Sequence, residues 1–172
     1  MLRYPARGDL DALLKFINAL VAERAMIVVE KRLSRAQEAR WLSTRIKDIE
    51  AGLVVHLVAV MDGAIVGGAE VFANPEPWRE HVGIFTIALS AQARGRGIAR
   101  RLFEALLVES RKRFNMRMLQ LDLNASNKRA YRFYQKIGFR KAGLIKGGLK
   151  HRGRYMDQIV MIKKLRKPAS RR

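Results

Sequence analysis

Apolar residues recur along this chain at two different spacings. Over residues 8–24 they recur every three or four residues, as in an amphipathic helix, and Asp9 stands at the expected N-cap. Further on, Ser34 and Gln37 have the spacing of a capping box, and Gly52 stands where the helix that they open should end. The first 52 residues therefore predict two helices joined by a connector of unassigned structure.

The remaining two thirds of the chain predict mainly strands. Two β-branched runs flank Asp62 and Gly63, a strong hairpin signal, and the last two strands meet at Arg152 and Gly153. Between these hairpins lie two further strands, at about 81–90 and 116–124, and two helices, at about 96–114 and 126–138. The predicted order is α–α–β–β–β–α–β–α–β–β, with room for a short strand before the first helix. This order indicates an α/β fold with a mixed sheet, an antiparallel meander followed by a βαβ crossover.

Composition narrows the class of protein. A chain of 172 residues is expected to form one domain with one core. The absence of cysteine excludes disulfides and thiolate chemistry, and three scattered histidines do not predict a metal site. No apolar run reaches 18 residues, and the N-terminus has no signal-peptide pattern, so we expect a cytoplasmic protein with no membrane contact.

Charge is the unusual feature of the composition. Thirty-five lysines and arginines face 15 acidic residues, for a net charge of +20, and most of the excess follows Arg94. Such a surface attracts phosphates, nucleic acids or acidic proteins, or else consists of solvated helix faces without a specific partner. Residues 166–172 are predicted to be a basic C-terminal tail beyond a domain of residues 1–165.

The stretch "AQARGRGIARRL" joins a predicted strand to a predicted helix. A glycine-bearing loop at a helix start presents unpaired amides to an anion, and Gly95 and Gly97 would let a bound group approach the backbone closely. Arg94 and Arg96 would add attraction for the same anion. The stretch lacks the Gly-Lys-Ser/Thr of a P-loop and is not the dinucleotide fingerprint. It predicts either a phosphate site or a tight turn with incidental arginines.

Two motifs together carry a resemblance to a known family. "QARGRG", from Gln92 to Gly97, matches the Q/R-x-x-G-x-G/A pattern of the GNAT superfamily of acetyl-CoA-dependent N-acetyltransferases, and "LDLNASNKRAYRFYQKIGFRKAG" resembles its second signature. With the order of elements, the resemblance covers about residues 3–165. It implies a single GNAT-like domain: a mixed, mostly antiparallel twisted sheet with helices on both faces and a splayed strand pair for the cofactor.

The resemblance implies roles for several positions. The strand end Ile87, Ala88 and Leu89 would pair with the pantetheine arm of acetyl-CoA. The pyrophosphate would be held by the loop residues Gln92, Arg94, Gly95, Arg96, Gly97, Ile98 and Ala99, of which Ala99 replaces a glycine of many relatives. Asn124 ends the splayed partner strand, Asn127 would bond to the cofactor arm, and Tyr134 would lie near the thioester sulfur.

The chemistry predicted by the resemblance is attack of a primary amine on the thioester. Tyr134 is expected to protonate the leaving thiolate, and its alternative role is that of a core aromatic residue. Many relatives carry a glutamate on the strand before the glycine loop, but "VGIFTIAL" has no acid. The base is therefore open among Glu30, Glu70, His81 and a chain of waters, and an amine delivered already neutral would need none. Asp122, Asp157 and Trp41 are interpreted as structural residues.

The sequence thus predicts a cytoplasmic acetyl-CoA-dependent N-acetyltransferase, without a metal, acting on a small-molecule amine or a protein N-terminus. A homodimer is a further expectation. Two alternatives remain: a nucleic-acid- or ribosome-associated basic module, for which residues 128–136 and the tail supply cations, and a non-catalytic acyl-CoA sensor. A basic surface could also serve the enzyme as an auxiliary contact with acidic partners or nucleic acid.

Overall fold

The computed structural model describes residues 1–165. The described part of the chain contains four α-helices and seven strands in the order predicted, including the short strand before the first helix. The cations predicted for the tail, at 166–172, lie outside the described residues. The helices are α1 (Leu10–Ala22), α2 (Arg35–Glu50), α3 (Ile98–Arg113) and α4 (Lys128–Lys136); the strands are β1 (Leu2–Arg3), β2 (Val54–Met61), β3 (Ala64–Phe72), β4 (Val82–Leu89), β5 (Met118–Asn124), β6 (Arg140–His151) and β7 (Arg154–Lys164).

One open, mixed sheet contains all seven strands, in the order β1-β2-β3-β4-β5-β7-β6. The pairs β1–β2, β2–β3, β5–β7 and β6–β7 are antiparallel, and β4–β5 is parallel. The parallel pair confirms the predicted βαβ crossover through α3. Two compact units can be distinguished, one of Met1–Phe72 with Thr86–Arg113, the other of Ala73–Phe85 with the residues from Phe114 onward.

The first unit is a three-layer arrangement around β2. Val58 lies in a buried cluster with Leu13 of α1, Leu42 of α2 and Ile65 of β3. Every residue from Val54 to Ala59 is buried, although successive side chains of a strand point to opposite faces. Since α3 also packs on β2 and β3, helices cover both faces of the sheet, as predicted.

The second unit is built on the β5–β7–β6 ladder and the first half of β4. Phe85 of β4, Tyr134 of α4 and Phe139 form an aromatic cluster, with ring centroids 5.7 to 6.2 Å apart. Phe85 and Phe139 are 2% exposed and anchor this part of the core. The contacts with Phe85 and Phe139 therefore hold the ring of Tyr134 in one position.

Caps and turns follow the sequence closely, with one correction. Ser34 and Gln37 form the predicted capping box at the start of α2. Asp62 and Gly63 both have positive φ, the requirement of a two-residue hairpin turn. Asp9 stands at the N-cap of α1, but its carboxylate accepts from the Ala6 amide at 2.7 Å and does not cap α1.

Candidate active site

The glycine loop is shaped by backbone conformation. A short 3₁₀ turn (Ala91–Ala93) leads into Gly95, at φ +81°, and Gly97, at φ +74°, immediately before α3. Side-chain-bearing residues rarely adopt such angles, so both positions need glycine. At each glycine the place of a Cβ has no atom of residues 1–165 within 4 Å. The space over the loop is therefore open to a bound group.

Five consecutive amides face no backbone acceptor at this loop. The first backbone bond into α3 runs from the Arg101 amide to the Gly97 carbonyl at 3.2 Å, and within the described chain the amides of residues 95–99 make none. Unpaired N–H groups at the start of a 16-residue helix carry partial positive charge. The arrangement can bind a pyrophosphate-sized anion.

The polar side chains of the motif differ in how they are held. Arg94 donates to the Leu89 carbonyl at 3.0 Å and forms an ion pair with Glu23. Arg96 is exposed, with its guanidinium 3.9 Å from the sulfur of Met61, and Gln92 is exposed. Arg94 thus stabilises the loop, and Arg96 is the more accessible cation.

The strand segment predicted to pair with the cofactor arm leads into this loop. On one side it neighbours β3, where Ser90 donates its amide to the Val66 carbonyl at 2.9 Å. The parallel ladder of β4 with β5 covers Val82–Ile84 only. The second half of β4, including Ile87–Leu89, lies outside that ladder.

A buried carboxylate lies beside the same strand. Glu70 of β3 approaches Arg45 (Nε–Oε1, 2.9 Å), His56 (Nδ1–Oε1, 3.2 Å) and the Thr86 hydroxyl (Oγ1–Oε2, 3.4 Å). Its side chain is 16% exposed. Burial raises the pKa of Glu70, and the neighbouring Arg45 opposes that shift. A carboxylate with a raised pKa that is partly open to solvent is a stronger proton acceptor than an ordinary glutamate.

Two residues hold this carboxylate in place. The Arg45 guanidinium stacks over the rings of Phe72 and Trp41, at 4.7 and 5.4 Å, which fixes its orientation toward Glu70. Burial lowers the pKa of His56 to about 3, and Arg45 adds to the effect. His56 is therefore neutral at physiological pH, and its Nδ1 lies 3.2 Å from Glu70 Oε1 without forming a hydrogen bond.

Tyr134 lies on α4 among aromatic rings. It is 8% exposed, and burial raises its pKa to about 12. Its hydroxyl keeps its proton throughout the physiological range and makes no hydrogen bond within residues 1–165. The hydroxyl is consequently available as a donor to a ligand, but a weaker acid than the sequence predicts.

The two predicted asparagines close the turn between β5 and α4. Asn124 accepts from the Ser126 amide at 2.9 Å through Oδ1, and its Nδ2 contacts the sulfur of Met156. Asn127 caps α4 by accepting from the Ala130 amide at 3.1 Å. The Oδ1 atoms of both residues thus hold local structure, which leaves Nδ2 as the group of Asn127 that could reach a cofactor.

The other candidates for the base lie elsewhere. Glu30 is exposed in the connector between α1 and α2, which has neither helix nor strand. His81 precedes β4, at the end opposite to the glycine loop, and borders a cavity of ≈350 Å³ with Glu80, Asn115 and Arg117. Of the predicted bases, Glu70 alone combines burial, charged partners and a position beside the second half of β4.

Three side chains interpreted as structural are placed accordingly. Trp41 packs against the core cluster and makes an edge contact with His56. Asp122 is exposed between buried leucines, and the Asp157 carboxylate accepts from the Gly147 amide at 3.0 Å.

Sequence reasoning missed Arg45, His56 and Thr86. His56 and Glu70 are register partners across the β2–β3 hairpin. If residues are paired outward from the predicted Asp62–Gly63 turn, the expected partner of His56 is one residue away from Glu70. The signal for Arg45 is its place on the face of α2 that carries Trp41 and Leu42, about one turn away.

Residues 1–165 contain neither a metal-ligand cluster nor a helix suited to span a membrane. No group of three or more His, Asp or Glu side chains in this part of the chain is arranged to hold a metal ion. Among its helices, none combines the length and the apolar character that crossing a membrane requires.

Comparison with known proteins agrees with this geometry. The L-amino acid N-acetyltransferase AaaT of Escherichia coli is 28% identical over 108 residues, 63% of this chain and 67% of that protein. The ribosomal-protein-alanine N-acetyltransferase of Brucella melitensis superposes with a TM-score of 0.83 at 28% identity, covering 96% of this chain and 99% of that one.

A third protein has the same fold in a structure that contains acetyl-CoA. The GNAT phosphinothricin acetyltransferase of Sinorhizobium meliloti, in complex with acetyl-CoA, has a TM-score of 0.81 at 22% identity and covers 100% of this chain and 91% of that one. The model of the acetyltransferase (GNAT) family matches residues 22–139. Since that match spans more than half of the sequence, the chain belongs to the acetyltransferase (GNAT) family.

Proposed function

We propose that this protein transfers the acetyl group of acetyl-CoA to a primary amine. The observation that carries the proposal is the glycine loop, where five amides without backbone acceptors stand under open space at the start of α3. A diphosphate fits these donors, and family membership makes acetyl-CoA the expected source of it.

In the first unit, the loop amides hold the pyrophosphate and the edge of Ile87–Leu89 pairs with the pantetheine arm. Arg96 adds a charge that salt screens, whereas Arg94 keeps the loop in shape through Leu89 and Glu23. Such binding positions the thioester for attack, which supplies much of the rate of an acyl transfer.

Glu70 is the proposed base. The amine nitrogen attacks the carbonyl carbon, its excess proton passes to the Glu70 carboxylate directly or through one water, and the C–S bond breaks. Arg45 acts as a positioning residue, since its charge holds the carboxylate, and the neutral ring of His56 packs beside it. In this way Glu70 replaces the acid that β4 lacks.

In the second unit, Tyr134 is the proposed partner of the leaving sulfur. A hydroxyl of pKa about 12 stabilises a thiolate mainly by a hydrogen bond. Full transfer of its proton to the thiolate is unfavourable, because the pKa of a thiol, about 8.5, is over 3 pKa units lower. The thiolate then takes a proton from solvent, while the Tyr134 hydroxyl keeps its own. The sum is amide plus free CoA thiol.

The acceptor is proposed to be an α-amine, of a free amino acid or of a protein N-terminus. Two similar proteins are named for these two kinds of acceptor. One is an L-amino acid N-acetyltransferase and the other is a ribosomal-protein-alanine N-acetyltransferase. The net charge of +20 disfavours free polyamines, which would be repelled.

Release of CoA thiol, followed with a thiol-reactive dye, tests the function directly. The chain has no cysteine, so the dye reports CoA alone. The panel contains free L-amino acids, peptides with free or blocked N-termini, and polyamines. We expect turnover with free α-amines and none with blocked peptides; acetyl-CoA binding without turnover on any amine would contradict the proposal and favour an acyl-CoA sensor.

A further inference from the structure

The second unit presents a long basic hairpin, formed by β6 and β7. From residue 123 to residue 156 the chain has ten lysines and arginines and no aspartate or glutamate. Nine of the twelve residues of β6 are exposed, and β6 is the last strand in the sheet order, so its outer edge is unpaired within the described chain. Six of the cations lie on the hairpin: Arg140, Lys141, Lys146, Lys150, Arg152 and Arg154.

Apolar and aromatic side chains are interspersed among these cations. Leu144 and Ile145 are 45% and 49% exposed, and Tyr155 is 73% exposed. The Lys150 ammonium lies 5.5 Å from the centroid of the Tyr155 ring. Exposed aromatic rings flanked by cations are the means by which proteins bind single-stranded nucleic acid, with bases stacked on rings and phosphates on cations.

We propose that the β6–β7 hairpin binds single-stranded nucleic acid. Twelve strand residues extend about 40 Å, enough to follow several nucleotides. A second copy of the chain would be repelled by the same positive surface, and a stacked base uses Tyr155 where a lipid headgroup would not. The proposal is independent of the acetyl transfer.

Lysines on an edge strand also prevent edge-to-edge association. If that were their whole role, the hairpin would show no more affinity for nucleic acid than any other basic surface. The experiment must therefore compare the hairpin with cations elsewhere on the same protein.

Fluorescence anisotropy of a labelled 15-nucleotide oligo(U) or oligo(dT) with the full chain measures the affinity. Six phosphate contacts to a single strand give a slope of log K against log salt near −4, so affinity should fall about 300-fold between 50 and 200 mM NaCl. A slope shallower than −1 would overturn the proposal.

Charge reversal locates the site. The hairpin variant Lys141→Glu, Lys146→Glu, Lys150→Glu is compared with Arg40→Glu, Lys47→Glu, Arg111→Glu, which changes the net charge equally on exposed positions of α2 and α3. We expect at least a 30-fold loss in the hairpin variant and less than a threefold loss in the control. Equal losses would reduce the binding to net charge and overturn the proposal.

A single substitution tests the stacking part. Tyr155→Ala removes an exposed ring and leaves every charge in place, so folding should be unaffected. We expect at least a fivefold loss of affinity for the single strand. Unchanged affinity, or equal affinity of the native protein for a 15-base-pair duplex or for phosphatidylserine vesicles, would contradict a single-strand site.

Discussion

Tyr134 shows at the level of one residue how burial changes a role. The sequence predicts a proton donor, and packing against Phe85, Phe133 and Phe139 raises its pKa to about 12. Substitution Tyr134→Phe should lower kcat about 100-fold, in the range of general-acid contributions, with little change in acetyl-CoA affinity. Steady-state kinetics and calorimetry measure the two quantities.

Tyr131→Phe is the matched control, since it removes a hydroxyl from the same helix. Its kcat should stay within twofold of the native value. Either of two results would leave Tyr134 as a packing residue. One is a threefold or smaller loss of kcat in Tyr134→Phe. The other is a native rate that decreases with rising pH through a tyrosine ionisation whose pKa is below 10.

Glu70 should dominate the acid side of the pH profile. Because burial raises its pKa above the usual 4.5, kcat/KM should fall with unit slope on the acid side of that raised value. Glu70→Gln should lower kcat/KM about 100-fold and abolish this limb. Glu104→Gln, at an exposed position of α3, is the control; a limb retained in Glu70→Gln would assign the base elsewhere.

His56 links the same cluster to folding stability. The pKa of His56 is about 3 in the native state and near 6.5 in the unfolded state. Between these two pH values, His56 is therefore protonated in the unfolded chain and neutral in the native protein. Stability is therefore lost as the pH falls from 6.5 toward 3, by about 2 kcal/mol between pH 7 and pH 5. Glu70, with its raised pKa, opposes this loss below its own native pKa.

Urea unfolding at pH 7 and pH 5 measures the effect. His56→Asn removes the titrating group, so its stability should depend less on pH by about the same 2 kcal/mol. Equal pH dependence of the native protein and His56→Asn would show that His56 does not lose its proton on folding. Arg45 of α2 and Glu70 of β3 are the charged groups that face His56.

At the level of elements, the sequence predicted the strands and helices because period and turn residues are local signals. The Asp62–Gly63 turn sets a two-residue hairpin in which Met61 faces Ala64 and Val60 faces Ile65. From that turn alone, His56 would lie opposite Ala69. A one-residue shift in the ladder after Ala59 leaves Val66 unpaired and brings His56 opposite Glu70.

This shift decides whether the Glu70 cluster exists. A shift of one residue moves every side chain of a strand to the other face. Gly67 and Gly68, next to Val66, are typical of a bulge but do not fix where the register changes. The position of the glycine loop, by contrast, was predicted from the sequence, and the structure adds that both glycines have positive φ. Thus the proposed anion site could be predicted from local chemistry, whereas the surroundings of Glu70, the proposed base, depend on the register.

The loop itself can be tested with a matched pair of glycines. Gly97 and Gly63 share φ +74° and the absence of neighbouring atoms where a Cβ would lie. Replacement of either by alanine should cost about 1 kcal/mol of stability, because a Cβ strains this conformation. Only in Gly97→Ala does the methyl group enter the space over the free amides.

Calorimetry should then separate binding from strain. We expect Gly97→Ala to weaken acetyl-CoA binding at least tenfold, while Gly63→Ala leaves the affinity within twofold and loses similar stability. Affinity unchanged in Gly97→Ala would remove the pyrophosphate from this loop.

For the whole molecule, the net charge of +20 should govern the capture of an anionic substrate. The positive field extends about one Debye length, roughly 10 Å at 0.1 M salt and 3 Å at 1 M. Acetyl-CoA carries its phosphates into that field, and steered association slows steeply as salt is added. The association rate constant, from stopped-flow binding, should therefore fall at least tenfold between 50 mM and 500 mM NaCl.

A truncated substrate separates this field from every other effect of salt. Acetyl-pantetheine has the same thioester and arm but no phosphates, so its association rate should change less than twofold over the same range. If both substrates respond equally, salt acts on the fold or the acceptor and the basic surface plays no part in capture. If only acetyl-CoA responds, the positive charge that follows Arg94 along the sequence accelerates acetyl-CoA binding. The cations on β6–β7 would then be available for the second proposed polyanion, single-stranded nucleic acid.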